Sequence, residues 1–277
     1  MKRIFAVIAA AVTMIVLGST ASAKSAVVVA HYGSSDDDTR AKTIGLITGE
    51  VREALPGMEV REAYISPVVR RNLAKRGIDT KSPLEVLLGL RAEGYDTVYV
   101  QSSTLIDGAE MAEVRKAVEQ TAPFFKLVKA GRPLLYSPDD CLEVASILLK
   151  EPCGKGEAVV YAGHGNVLPS TATYAQLDHM LATSPEAKGV YHVSTIEGYP
   201  TVASTIAQLA KGPKVKTVKL VPLLLVCGNH TRNDIAGEYA EAVRKAGYEP
   251  QVVMRGLGEN PEIRAIYVNR VKELLGR

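Results

Sequence analysis

The sequence has no tryptophan and only three phenylalanines among its 277 residues. Valine, leucine, isoleucine and alanine therefore have to fill the core. Cysteine is scarce as well, with Cys141, Cys153 and Cys227 forming an odd set. Cys153 lies in a loop-like Pro-Cys-Gly segment and is a candidate disulfide partner of Cys141. The alternative is three ordinary small side chains, because a sequence alone does not determine connectivity.

Several motifs that identify common enzyme classes are missing. The chain has no phosphate-binding loop, no nucleophile elbow, no paired-cysteine zinc motif and no convincing serine triad. Gly163-His164-Gly165 is too short to be a dinucleotide fingerprint. The chain also has almost no net charge once residues 1–23 are left out. It then keeps 31 of its 33 basic residues and all 30 acidic ones. This balance provides no electrostatic footprint for nucleic acid.

The one long apolar run stands at the N-terminus. Lys2 and Arg3 precede the apolar stretch 4–17, and Ala21-Ser22-Ala23 resembles an A-x-A cleavage site. This order predicts a cleavable signal peptide over 1–23 and a periplasmic mature protein without a membrane span. An uncleaved anchor is the alternative, but the apolar stretch is shorter than the ~20 residues that a spanning helix needs.

The rest of the sequence alternates short β-branched runs with helical patterns, which predicts an α/β fold with parallel sheets covered by helices on both faces. Long helices are expected over 37–55 and 234–246. Ser82-Pro-Leu-Glu85 has the pattern of a capping box with proline at the first helical position. The predicted strands are 26–30, 58–64, 97–101, 126–130, 158–162, 190–196, 217–226 and 251–254.

The two halves of the chain resemble each other locally. The segment 27–33 (VVVAHYG) is echoed by 159–165 (VVYAGHG), and both are apolar runs that enter a turn with glycine and histidine. We therefore predict two similar α/β domains, 24–136 and 137–277, with a cleft between them and the metal site on the second. For so short a segment, chance similarity is the alternative.

Three side chains that can bind metal are evenly spaced in the second half: His164, Glu197 and His230 lie 33 residues apart each time. Each follows an apolar, strand-like run, and a strand with its crossover helix takes about 30 residues or more. Parallel strands place their carboxyl ends at one sheet edge, where open α/β sheets bind ligands. The spacing predicts that two imidazoles and one carboxylate converge there. Such a set suits zinc, iron, cobalt or nickel and leaves coordination positions open.

Each of the three residues also has a plainer interpretation. His164 is alternatively a solvated loop residue, and Glu197 a partner of the positive end of the following helix. The polar segment around His230 contains residues that can cap a helix. A histidine titrates near neutral pH and can accept protons, which makes His164 the candidate catalytic residue.

The remaining histidines and acidic residues are weaker candidates. His31 stands at the end of a predicted strand and marks either a second site or a locally hydrogen-bonded turn. His179 falls inside a predicted helix and His192 inside a predicted strand, so we expect both to be structural. The run Asp36-Asp-Asp38 is expected to cap a helix, with metal capture as the minor alternative.

At these residues the chain resembles a known family, the class II tetrapyrrole chelatases, and within it the anaerobic sirohydrochlorin cobaltochelatases of the CbiK type. The resemblance covers nearly all of the chain after residue 23. The matching segments are 38–39 (DT), 83–84 (PL), 101–110, 163–165 (GHG), 174–180 (YAQLDHM), 197–200 (EGYP), 221–234 (VPLLLVCGNHTRND) and 256–265 (GLGENPEIRA).

The resemblance implies two similar α/β domains around a cleft that holds a tetrapyrrole. It also implies that His164, Glu197 and His230 bind the metal ion and that His164 takes part in catalysis. The chain departs from the family at 31–35, where it reads HYGSS instead of SFGTS. It also has Thr104 where a histidine is common, so no ligand role is carried over to Thr104.

The sequence thus predicts a lyase that inserts Co²⁺, with Fe²⁺ or Ni²⁺ as further candidates, into sirohydrochlorin or a related tetrapyrrole, a step of cobalamin biosynthesis. Export favours a second hypothesis, a periplasmic binding or transport protein for metal or haem-like ligands without turnover. A third is an exported hydrolase with the same ligands around zinc. The expected partners are a tetrapyrrole and a divalent ion; the oligomeric state, a homo-oligomer included, is left open.

Overall fold

The computed structural model describes residues 24–228 and 231–277. The predicted signal peptide therefore lies outside the described residues, as does His230. Among the described residues, no helix is both long and apolar enough to cross a membrane. The strands are β1 (Lys24–His31), β2 (Glu59–Tyr64), β3 (Tyr95–Ser102), β4 (Leu127–Ala130), β5 (Glu157–Gly165), β6 (Tyr191–Glu197), β7 (Thr217–Leu223) and β8 (Glu249–Val252).

Helices connect these strands. A π-helical segment, Thr231–Tyr239, precedes the ninth α-helix, and short 3₁₀ turns occupy 122–124, 169–171 and 257–259. The α-helices are α1 (Asp37–Lys42), α2 (Ile44–Ala54), α3 (Pro67–Ala74), α4 (Pro83–Ala92), α5 (Ala109–Thr121), α6 (Pro138–Leu148), α7 (Ala172–Thr183), α8 (Val202–Lys211), α9 (Ala240–Lys245) and α10 (Pro261–Leu274).

The strands form two all-parallel sheets with the same topology. Their orders are β2-β1-β3-β4 and β6-β5-β7-β8, so β1 and β5 occupy equivalent places. Residues 26–31 of β1 are all buried, as expected for a strand covered on both faces. The predicted fold class of two parallel sheets flanked by helices is confirmed, and the echoed segments 27–33 and 159–165 lie on equivalent strands.

Local sequence signals place the helix starts. The capping box predicted at Ser82 is present, with the Ser82 hydroxyl accepting from the Glu85 backbone N–H and the Glu85 carboxylate accepting from Ser82. Ser137 and Asp140 form a second capping box at the start of α6. Proline occupies the first helical position in both helices, where its missing N–H costs nothing.

Three predicted elements differ in the structure, and distant segments pack against two of them. The helix expected over 37–55 is broken at Thr43, which Gly258 approaches so closely that an added Cβ would lie 2.8 Å from the Thr43 Cβ. The strand expected over 217–226 ends at Leu223, because the Leu224 and Leu225 carbonyls instead accept hydrogen bonds from residues 257 and 258. The helix expected from 234 begins at 231, as a π-helix.

The three cysteines are all free. Cys141 is buried in α6, and the Cys153 thiol donates to the Glu157 carbonyl at 3.3 Å. Burial raises the pKa of both thiols. The structure therefore agrees with ordinary small side chains and not with a bond between Cys141 and Cys153.

The C-terminal helix joins the two halves. One continuous hydrophobic core contains residues of both sheets, and α10 packs against α2 and β3 of the first half. Arg270 of α10 is only 2% exposed and donates to the carbonyls of Pro133 and Leu134, in the connection between the halves. It also pairs with Asp140 at 3.1 Å. The domain boundary at 136/137 stays a prediction.

Candidate functional site

His164 lies at the carboxyl end of β5, the second strand of its sheet, and is half-buried. Its Nδ1 is 3.0 Å from the Gly165 carbonyl oxygen. The glycines on either side allow close approach of neighbouring groups. A Cβ on Gly163 would lie 2.7 Å from the Tyr174 ring, and Gly165 has a φ of +76°. Glycine adopts this left-handed backbone without the steric cost that other residues bear.

Glu197 is the last residue of β6, which pairs directly with β5, and its side chain is exposed. Gly165 and Glu197 face each other in the strand register. A Cβ on Gly165 would overlap the Glu197 carbonyl oxygen, so only glycine fits there. Gly165, which directly follows His164, therefore lies beside Glu197 at one sheet edge, as the spacing of His164 and Glu197 predicts.

His230, the third predicted ligand, lies outside the described residues. The strand that precedes it in the sequence, β7, pairs with β5 on the side opposite β6. Leu223 of β7 is in register with Gly163. The chain is described again from Thr231, where the π-helix begins, and π-helical turns frequently occur at functional sites. Within the described ranges, no three His, Cys, Asp or Glu side chains are grouped to hold a metal. The three-ligand site stays a prediction.

His31 is buried in the first half, and both of its ring nitrogens are hydrogen-bonded. Nδ1 lies 2.7 Å from the Ser103 hydroxyl and Nε2 lies 2.9 Å from the Thr48 hydroxyl. Desolvation lowers the pKa of His31 to about 3, so the ring is neutral in the folded protein. In the echoed segments, His31 matches Gly163 and not His164. Of the two interpretations of His31, the structure favours the hydrogen-bonded residue over a second site, because both ring nitrogens already have partners within the core.

Two other polar residues singled out in the sequence, His192 and Thr104, are buried. His192 is buried on β6, with its Nδ1 3.6 Å from Asp178 Oδ1, whereas His179 is exposed on α7. Asp178 accepts from the Val193 backbone N–H at 2.7 Å and thereby ties α7 to β6. The Thr104 hydroxyl accepts from Ser102 at 3.0 Å.

Loops at the carboxyl edges of the two sheets contact each other. A Cβ on Gly108, after β3, would lie 3.4 Å from the Asn166 amide nitrogen, after β5. The Thr39 hydroxyl donates to the Cys227 carbonyl at 3.5 Å. The ends of the two sheets therefore face each other across a cleft.

A cavity of about 350 Å³ lies where the loops of the two halves meet. The carboxylates that line the cavity outnumber the single ammonium group, that of Lys42. The electrostatic potential of the cavity therefore favours cations. Asp36 also caps α1, as predicted, by accepting from the Thr39 N–H at 2.7 Å. The sequence carried no signal for Met254, because only the tertiary fold brings it to this place. The lining residues are Asp36, Asp38, Thr39, Lys42, Cys227, Met254 and Glu259.

Comparison with known proteins identifies a family over nearly the whole chain. A family model described as cobalt chelatase (CbiK) matches residues 25–275. The chain is 33% identical over 259 residues to the sirohydrochlorin cobaltochelatase of Salmonella typhimurium, covering 91% of this chain and 97% of that protein. It is also 33% identical over 246 residues to the sirohydrochlorin cobaltochelatase CbiKC of Nitratidesulfovibrio vulgaris, covering 85% of each.

Solved structures agree with these sequence relatives in fold. SirB from Bacillus subtilis with Fe³⁺ superposes with a TM-score of 0.64 at 14% identity, covering 91% of this chain and 95% of that one. CbiX, described as the terminal enzyme of siroheme biosynthesis in denitrifying bacteria, superposes with a TM-score of 0.52 at 17% identity, covering 90% and 98%. At these identities the likeness concerns the fold alone.

Two glycines at opposite ends of β5 allow a test of how closely the end of β6 approaches the end of β5. Gly156 and Gly165 have φ of +77° and +76°, but a Cβ at Gly156 meets nothing within 4 Å. Both alanine substitutions bear the about 1–2 kcal/mol that left-handed backbone costs an L-residue. Only Gly165→Ala also overlaps Glu197, so urea unfolding should show a clearly larger loss of stability for it than for Gly156→Ala. Equal losses of stability in the two variants would contradict the close contact between Gly165 and Glu197.

The buried His31 should make stability depend on pH. An unfolded histidine takes up a proton below a pH of about 6.5, whereas folded His31 does so only near pH 3. The free energy of unfolding should therefore fall from pH ~6.5 towards 3, by up to about 1.4 kcal/mol per unit from this group. His31→Gln removes that titration, so its urea-unfolding free energy should fall less steeply with decreasing pH than that of the wild type. Parallel curves would disprove this contribution.

Proposed function

The chain belongs to the cobalt chelatase (CbiK) family, and on this basis we propose that it inserts Co²⁺ into sirohydrochlorin or a closely related tetrapyrrole. The observation that carries the proposal is the placement of His164 beside the end of β6, where Gly165 and Glu197 are in register. This edge offers an imidazole and a carboxylate to one ligand at a cleft between two sheets. The fold alone supports only a ligand-binding edge; the side chains there suit a metal ion.

Proton balance explains why a histidine suits this reaction. A divalent ion enters the macrocycle as two pyrrole N–H protons leave, so a nearby base has to accept protons. The Gly165 carbonyl can only accept a hydrogen bond, which places a hydrogen on Nδ1 of His164. Nε2 then carries the lone pair, and we assign to it the capture of the metal ion or of a pyrrole proton.

Glu197 and His230 complete the proposed ligand set. The exposed Glu197 carboxylate offsets part of the charge of the incoming ion, and His230 follows β7 on the other side of β5. Nitrogen and carboxylate ligands accept several divalent ions, and their supply often decides which is used. Fe²⁺ and Ni²⁺ are therefore alternative substrates of the same site.

Apolar side chains next to these ligands suit the face of a macrocycle. Val167 and Leu168 follow His164 in the loop before α7, and Tyr199 follows Glu197. Val167 is 87% exposed and Tyr199 53% exposed, and their loops approach each other at Gly198 and the Asn166 carbonyl oxygen. We propose that they pack against the tetrapyrrole ring, whose burial would offset their exposure.

Removal of the His164 imidazole should abolish metallation without unfolding the protein. General acid–base groups contribute about 10²–10⁴-fold to a rate, so His164→Ala should lower kcat/KM at least about 100-fold. The assay follows the absorbance of sirohydrochlorin with Co²⁺. His179→Ala is the matched control, because His179 is exposed on α7 of the same half. Unchanged activity of His164→Ala would refute the assigned role.

The export-like N-terminus favours a second candidate function, a binding or transport protein for a metal or haem-like ligand. The same absorbance assay separates the two functions. Tight tetrapyrrole binding without metallation above the uncatalysed rate would favour the transport protein. Metallation by the wild type and its loss in His164→Ala would favour the chelatase.

We also propose that the chain is exported and cleaved before Lys24. The order of Lys2, Arg3, the apolar stretch 4–17 and Ala21-Ser22-Ala23 supports export. Fractionation of a Gram-negative host should recover a periplasmic protein whose N-terminal residue is Lys24. Replacing both Lys2 and Arg3 by glutamate should hold the full-length chain back. Full-length wild-type protein in the cytoplasmic or membrane fraction would contradict the proposal.

A further inference from the structure

The start of α7 lies against both strand ends that carry the proposed ligands. Thr171 immediately precedes this helix and Tyr174 lies in its first turn. Residues three apart lie on the same side of a helix, so both side chains point towards the β5–β6 edge. α7 itself packs on β6. The turn is therefore placed to contact the chain around His164 and around Glu197 together.

The Tyr174 ring packs against Gly163, which directly precedes His164. The side chain is 3% exposed, and its ring lies so close to Gly163 that an added Cβ would be 2.7 Å from Tyr174 Cε1. Burial raises the pKa of the Tyr174 hydroxyl to about 12, against an opposing effect of the Gly165 backbone N–H. This side chain thus limits the space around the backbone next to His164.

Thr171 makes the matching contact beyond Glu197. A Cβ on Gly198 would lie 2.5 Å from Thr171 Oγ1 and 2.5 Å from the Asn166 carbonyl oxygen. The Tyr199 N–H also points to Thr171 Oγ1 at 3.5 Å. Gly198 has a φ of +90°, and the backbone can pass this close only because it has no side chain.

We propose that Thr171 and Tyr174 are positioning residues that hold His164 and Glu197 at the spacing needed for one metal ion. The proposal rests on the proposed chelatase function. Tyr174 contacts Gly163, directly before His164, and Thr171 contacts Gly198, directly after Glu197. Groups that orient metal ligands change metal affinity or activity by about 10–100-fold when they are altered.

Tyr174→Phe tests this role, with Tyr191→Phe as the matched control. Tyr191 is also buried, and its hydroxyl donates to the Glu151 carbonyl at 2.6 Å, but it lies at the opposite end of β6. Each variant loses one buried tyrosine hydroxyl, and we expect the melting temperature of Tyr174→Phe to fall no more than that of Tyr191→Phe. Only Tyr174→Phe should raise the Kd and the KM for Co²⁺, each by about 10-fold. The Kd is measured from the visible absorption of bound Co²⁺.

Thr171 provides an independent test that does not depend on the folding of Tyr174→Phe. Thr171→Val removes the hydroxyl at constant shape and should weaken Co²⁺ binding, whereas Thr171→Ser keeps the hydroxyl and should bind as the wild type does. Wild-type Kd and KM values in both Tyr174→Phe and Thr171→Val would overturn the positioning role. A wild-type protein that neither binds nor inserts Co²⁺ would overturn the proposed function, and this inference with it.

Discussion

The buried guanidinium of Arg270 connects the two halves of this protein. It donates to the carbonyls of Pro133 and Leu134 and pairs with Asp140, although it belongs to the last helix. Burial raises the pKa of the Asp140 carboxyl, but Arg132 and Arg270 hold it below its ordinary value, so the pair is ionised. A buried charge persists only when it is paired and hydrogen-bonded. These contacts keep α10 against the first sheet and thereby define the cleft.

The position of the proposed metal site depends on how the two halves pack together. Loops at the carboxyl ends of both sheets touch, with Gly108 beside Asn166 and Thr39 hydrogen-bonded to Cys227. Within the second sheet, β5 lies between β6 and β7, so the residues after these strands share one edge. Tight contacts at glycine then set local distances at that edge. A cleft between rigid sheets, with ligands on strand ends, suits chemistry that needs fixed spacing.

The two halves share a topology but place their histidines differently. His31 and His164 both end a central strand, yet His31 aligns with Gly163, one residue earlier. Side chains alternate between the faces of a strand, so a shift of one residue exchanges them. His31 is consequently enclosed by Ser103 and Thr48, whereas His164 lies half-buried at the edge. This difference is visible in the alignment of the echoed segments, but its consequence depends on what packs around each strand.

Patterns within the sequence were enough to predict the parallel sheets, the helix start at Ser82 and the position of His164 and Glu197 at one sheet edge. These features follow from local periodicity, from capping chemistry and from the regular length of strand–helix units, all of which act along the chain. The break at Thr43, the return of α10 to the first half and the contacts of Thr171 and Tyr174 became visible only in the folded chain. These depend on close approach between residues far apart in sequence, which no local pattern encodes.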